Sequence, residues 1–243
     1  ILGAGMWLFG IPLSLLVRDR PGPVGYSPDG TGAESQETPQ TPAQTEGAFL
    51  ELIKARSFLY LNIAETVRMM SVTAVVIHMM PYLSSLGIPR GTSGAVAAAL
   101  PLVSIVGRFG FGWWGDRFDK RVVMSTTFFL MSAGVFAFCY VQSFWVLMLF
   151  VLLFAPGFGG SMVLRGAILQ EYFGMAYFGR MVGIVMGSAS IGGIIGPTLA
   201  GWAFDTTGSY TSVWYGLCGI SGAAIFLIMK MKPAVAPSGS VLN

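Results

Sequence analysis

Arg108 stands in the middle of an apolar run, eight residues before Asp116. A guanidinium presents paired donors that match a carboxylate, and a water-poor setting strengthens the pair. Arg108 is therefore a candidate anion contact, with a purely structural ion pair as the other reading. Glu65 lies about seven residues inside another apolar run. It either faces Arg108 and gates it by taking up a proton, or pairs with Arg68 three residues on. Asn62, on the same helical face, either lines a cavity or bonds a neighbouring helix. Arg165, six residues before Glu171, can reach toward a polar surface, pair with an acid there, or contact a substrate. His78 suits either a pH-sensing gate or a hydrogen-bonded structural role.

Other chemistries find no support. No His, Cys, Asp or Glu cluster has metal-ligand spacing, and no nucleophile stands with a base, so neither a metal, a cofactor nor an enzyme is expected. Gly187, Gly192 and Gly193 follow no strand, which excludes a phosphate-binding loop. The net charge of +3 is weak evidence of nucleic-acid binding, because the basic residues fall where membrane topology would put them.

The elements that must carry these groups follow from hydropathy. Of 243 residues, 54% are apolar and 10% charged, a balance expected where the solvent is lipid. A bilayer leaves backbone polar groups no partners, so apolar runs of this length must be helices. A truncated span covers residues 1–17, and six more run at about Phe58–Leu83, Ser93–Trp114, Val122–Tyr140, Phe144–Ala167, Met181–Phe204 and Ser212–Met229. Residues 18–57 form a connecting loop. Its Pro21–Thr45 stretch is too poor in large apolar residues to fold, and Gly47–Ser57 has the spacing of a short amphipathic helix. The bundle closes with residues 58–232 and a tail, 233–243. Because Ile1 opens inside an apolar run without a Met or a basic leader, the chain reads as a fragment. Positive-inside bias puts the loop and the tail in the cytoplasm, with Arg90 alone among loop basic residues outside. Cys139 and Cys218 lie in apolar spans and are expected to be packing residues.

One loop carries a family signature. Gly112-Trp-Trp-Gly-Asp116-Arg117-Phe-Asp119-Lys120-Arg121 resembles the G-x-x-x-D-R/K-x-G/D-R/K-R/K motif of the major facilitator superfamily, matched at every defined position. The resemblance implies an all-α polytopic fold: the sixth helix, the central cytoplasmic loop and a six-helix C-terminal bundle, whose partner is an N-terminal six-helix half. It also implies that Asp116 caps the sixth span near Met181, latching a gate built from Gly112, Asp116, Arg117, Asp119, Lys120 and Arg121. His78-Met-Met-Pro81-Tyr-Leu, Glu171-Tyr-Phe-Gly174 and Gly196-Pro197-x-x-x-Gly201 followed by Asp205-x-x-Gly208-Ser-Tyr210 resemble the monocarboxylate transporter branch and its oxalate/formate antiporter relatives.

In that branch an Arg four residues before such a glycine binds the substrate carboxylate, a position Arg108 matches. Members carry an acid one turn before it; here Ser104 stands there, as a candidate substrate contact but not a proton carrier. The resemblance thus implies a secondary transporter of the plasma membrane, symport or antiport, for a small organic anion, with Arg108, Ser104, Asn62 and Arg165 as substrate contacts and Glu65 as the proton-coupling group. The alternatives are a transport-inactive scaffold or sensor, or a carrier of a drug or sugar.

Overall fold

The structure, a computed structural model, describes residues 42–232. The expected first span, most of the connecting loop and the tail lie outside these residues. Helix α1 (Pro42–Lys54) is followed by six long helices: α2 (Arg56–Ser85), α3 (Arg90–Gly115), α4 (Lys120–Cys139), α5 (Phe144–Phe173), α6 (Phe178–Thr207) and α7 (Thr211–Met229). All six are long and apolar enough to cross a membrane. At about 1.5 Å per residue a 30-residue helix spans about 45 Å, well beyond a hydrocarbon core of about 30 Å.

Where a short amphipathic helix is expected at Gly47–Ser57, the structure has a helix with different limits. It starts at Pro42, five residues before Gly47, and stops at Lys54 because Ala55 is extended (φ −60°, ψ 131°). Helix α5 also runs on past Ala167, through Gln170 and Glu171, to Gly174, whose φ of 79° ends it. Hydropathy marks where lipid contact ceases, not where the helix ends. Helices α2, α3, α5 and α6 each contain one proline, at Pro81, Pro101, Pro156 and Pro197, whereas α4 and α7 contain none.

The packing repeats itself. Helix α2 packs closely on α6, as α3 does on α5, while α4 lies against both α5 and α7. If α2–α4 and α5–α7 are read as two three-helix units, the α3–α5 and α6–α2 contacts are equivalent, the pattern of an inverted repeat. Both contacts use glycine to bring backbones together. A Cβ on Gly192 or Gly196 would strike the carbonyl oxygens of Thr66 or Met70, and one on Gly159 that of Ser104.

The interior has two apolar clusters. Around Phe138, Phe150, Tyr82 and Trp214, rings pack at 4.3 to 5.7 Å between centroids, and the Tyr82 hydroxyl donates to the Phe138 carbonyl at 2.9 Å. A second cluster centres on Phe58, Phe128, Ile168 and Met181, nearer the Asp116 end of the bundle. Lipid is as apolar as these side chains, so close packing and interhelical hydrogen bonds hold the helices. Exposed Phe109, Ile194 and Phe226 suit a surface that faces hydrocarbon.

Candidate functional site

Helix α2 places Glu65 and Arg68 one turn apart on the face turned to α5. Glu65 is fully buried, and its Oε2 accepts from Arg68 Nε at 2.9 Å and from Arg165 Nη1 at 3.1 Å, with Arg68 Nη2 at 2.8 Å. Its Oε1 is buried without a hydrogen-bond partner. Both arginines are buried as well. One carboxylate thus faces two guanidiniums, leaving the trio with a formal charge of +1.

Arg68 and Arg165 line a cavity of about 520 Å³, walled by α2, α3, α5 and α6. Its remaining lining is apolar apart from Thr73 and Ser190. A chamber of this size with a few placed polar groups is the usual form of a small-molecule site. Among the described residues no His, Cys, Asp and Glu side chains converge as a metal site would require.

The other candidates take different positions. Arg108 is exposed and makes no ion pair among the described residues, so Glu65 faces Arg68 and Arg165 rather than Arg108. Seven residues beyond the cavity-lining Pro101, Arg108 lies on the same face of α3. Ser104 is buried at the α3–α5 crossing, where its hydroxyl donates to the Pro101 carbonyl at 2.7 Å and its own carbonyl lies under Gly159. The structure therefore uses it for packing. Asn62 bonds across to α6: its Oδ1 accepts from Ser188 Oγ at 2.7 Å, while Nδ2 donates to the Phe58 carbonyl. His78 is held at both ring nitrogens, by the Pro197 carbonyl at 3.0 Å and the Tyr210 hydroxyl at 3.2 Å. A carbonyl can only accept, so Nε2 donates to Pro197.

Arg68 escaped the sequence reading as a cavity residue. Its spacing from Glu65 marked an intrahelical pair, but no local signal announces that Arg165, a hundred positions on, shares the same oxygen.

The Gly112–Arg121 string ties helix ends together. Asp119 caps α4, accepting from the Arg121 backbone N–H at 2.8 Å, and its carboxylate also takes the Arg121 guanidinium at 2.6 Å. Arg121 donates onward to the Met231 carbonyl just past α7 at 2.8 Å. Lys120 pairs with Glu171 near the end of α5, Arg117 lies 3.9 Å over the Trp113 ring, and a Cβ on Gly112 would meet Val163 at ordinary contact distance. Asp116 does not cap α6, contrary to the expectation: it is exposed, at the C-cap of α3. Contacts at the start of α6 come instead from α1, where Phe49 stacks on Tyr177 at 5.8 Å and Arg180 reaches toward the Phe49 ring.

Hydrogen bonds from Arg121 hold the Asp119 carboxyl below its ordinary range. A depressed folded value means that the stabilisation is complete above the unfolded value of about 3.9 and fades as pH falls through the folded one. Asp119→Ala should therefore lower stability by about 1 kcal/mol, the usual worth of an N-cap. Thermal unfolding in detergent should show the gap from wild type at pH 7 and its closure in strong acid.

The model of the major facilitator superfamily matches residues 58–241. Monocarboxylate transporter 12 of Rattus norvegicus is 28% identical over 152 residues, covering 60% of this chain and 30% of that protein. Human monocarboxylate transporter 7 is 23% identical over 200 residues, 79% of this chain and 38% of that one. The chain thus spans less than two fifths of the length of these curated relatives. Among solved structures, the E. coli fucose:proton symporter superposes with a TM-score of 0.63 at 18% identity, over 75% of this chain and 44% of the symporter. Six membrane-length helices, the inverted-repeat packing and the family match give one conclusion: this chain belongs to the major facilitator superfamily of membrane transporters.

Proposed function

We propose that the chain is the C-terminal half of a secondary transporter that carries a small organic anion, a monocarboxylate or dicarboxylate, across the plasma membrane by alternating access. The observation that carries this reading is the cavity wall, where two guanidiniums share one carboxylate. The +1 excess is matched by one anionic headgroup, and desolvated arginines bind a carboxylate strongly. Relatives named as monocarboxylate transporters support the same substrate class.

In this mechanism Arg165 and Arg68 hold the carboxylate, and Arg108 receives it on the open side of α3, where the N-terminal half packs. A proton on Glu65 frees the guanidiniums for the substrate, which couples proton and anion. The Asp116–Arg121 loop, on the cytoplasmic side with the central loop and tail, controls opening by linking the ends of α3, α4, α5 and α7.

The test is uptake of radiolabelled lactate, pyruvate, formate and oxalate into proteoliposomes carrying the protein expressed from its whole reading frame, with and without a proton gradient. Arg165→Gln leaves Glu65 paired with Arg68, so the fold should survive. Uptake should fall about tenfold to a hundredfold, the worth of one charge-assisted contact. Undiminished uptake by this variant would remove Arg165 from the site, and no uptake of any acid by the wild type would end the anion reading.

A further inference from the structure

The cavity is polar at one end only. Arg165 and Phe154, both in its wall, are eleven residues apart on α5, which is about 16 Å of helix; Arg68 and Met79 are separated by the same length on α2. Beyond the two guanidiniums the hydroxyls present are Thr73 and Ser190. Thr73 Oγ1 donates to the Met69 carbonyl at 2.7 Å and Ser190 Oγ to the Met186 carbonyl at 2.8 Å. Both protons are therefore spent within their own helices. A second carboxylate or a ring of hydroxyls placed against this wall would lose water and meet no free donor among the described residues, a cost that disfavours it.

The remaining wall fits hydrocarbon. Met69, Met162 and Met186 supply unbranched, polarisable side chains that adapt to irregular shapes, and Phe154, Phe158 and Val76 complete it. This apolar wall extends well beyond the body of lactate or formate, and the cavity, open on one side among the described residues, has room for a larger hydrocarbon body.

We infer that the substrate is an amphipathic monoanion, with one carboxylate on the Arg68–Arg165 pair and a branched or aromatic hydrocarbon tail along the methionine-lined chamber. This rests on the anion-carrier reading above and narrows it: short acids and dianions are poor substrates of the same site.

The experiment holds the headgroup constant and extends the tail. Saturation uptake of pyruvate, 2-oxoisocaproate and phenylpyruvate is measured in proteoliposomes of the protein expressed from its whole reading frame, beside oxalate as the dianion. KM should fall along the series, by about tenfold or more from pyruvate to phenylpyruvate, since burying an aromatic group is worth at least one such factor. Oxalate should compete weakly with phenylpyruvate. Val76 is half-exposed into the chamber, about 12 Å along α2 from Arg68, so Val76→Phe fills tail space without touching the headgroup site. That variant should raise the phenylpyruvate KM about tenfold more than it raises the pyruvate KM. A flat or rising KM series with pyruvate still carried overturns this inference and leaves the anion reading standing. Oxalate carried as well as phenylpyruvate overturns the preference for a single charge. Failure to carry any of the four overturns both readings. If Val76→Phe does not fold, the wild-type series decides alone.

Discussion

Glu65→Leu should destabilise the bundle by about 3–5 kcal/mol, the usual consequence of removing one partner from a buried ion pair. Without the carboxylate, two guanidiniums remain buried against each other, and neither has another acidic partner among the described residues. The large effect comes from desolvation, not from the hydrogen bonds themselves. The triple variant Glu65→Leu, Arg68→Met, Arg165→Met separates the two. It removes every charge and fills similar volume, so it should regain most of the lost stability, as apolar replacements of buried ion networks do, while carrying no anion. Thermal midpoints in detergent for wild type, single and triple variants make the comparison. A single variant as stable as wild type would mean that water or lipid headgroups reach the arginines and that the trio is not a closed unit.

Gly192→Ala and Gly187→Ala, five residues apart on α6, should change stability in opposite directions. A Cβ at Gly192 lands on the Thr66 carbonyl oxygen, a backbone atom that cannot rotate away, so α6 must withdraw from α2 along the contact. Overpacking of this kind costs about 1–3 kcal/mol, and adding Gly196→Ala, which lands on the Met70 carbonyl, should cost more. Around Gly187 a Cβ meets nothing within 4 Å. There alanine brings its better helix propensity, up to about 1 kcal/mol. Because α6 lines the cavity, moving it from α2 also displaces the cavity wall. Unfolding midpoints that moved in the same direction for both substitutions would contradict the glycine-mediated contact.

Much of this architecture is legible in the sequence because the bilayer imposes it. Hydropathy located all six spans of the bundle, and the Gly112–Arg121 string assigned the family, since backbone satisfaction in lipid and a short basic loop are local properties. What escaped reading is non-local. Ser104 is one turn from Arg108 and looks like part of a polar patch, yet α5 crosses directly over it. Arg108 reads as an anion contact and Arg165 as a residue that reaches a polar surface, pairs with an acid there or contacts a substrate; the structure buries Arg165 facing α2 and leaves Arg108 on an open face of α3. Asn62 allowed two readings, and Ser188, 126 positions away, decides for the interhelical one. Helix ends were missed wherever polar residues continued a helix, as in the last turns of α5.

The distribution of prolines has a mechanical consequence. Each interior proline lacks an N–H, so the carbonyls of Ile77, Ala97, Leu152 and Gly193 have no donor four residues on, and a helix yields most easily at such a gap. The four helices that wall the cavity each have one such weak point, while α4 and α7, which stay outside it, have uninterrupted ladders. The bundle is thus built as two stiff struts carrying four jointed staves. Force applied at the helix ends tied together by Lys120, Arg121 and Glu171 would be taken up as flexure in the staves around the cavity, and the struts would keep their length and line.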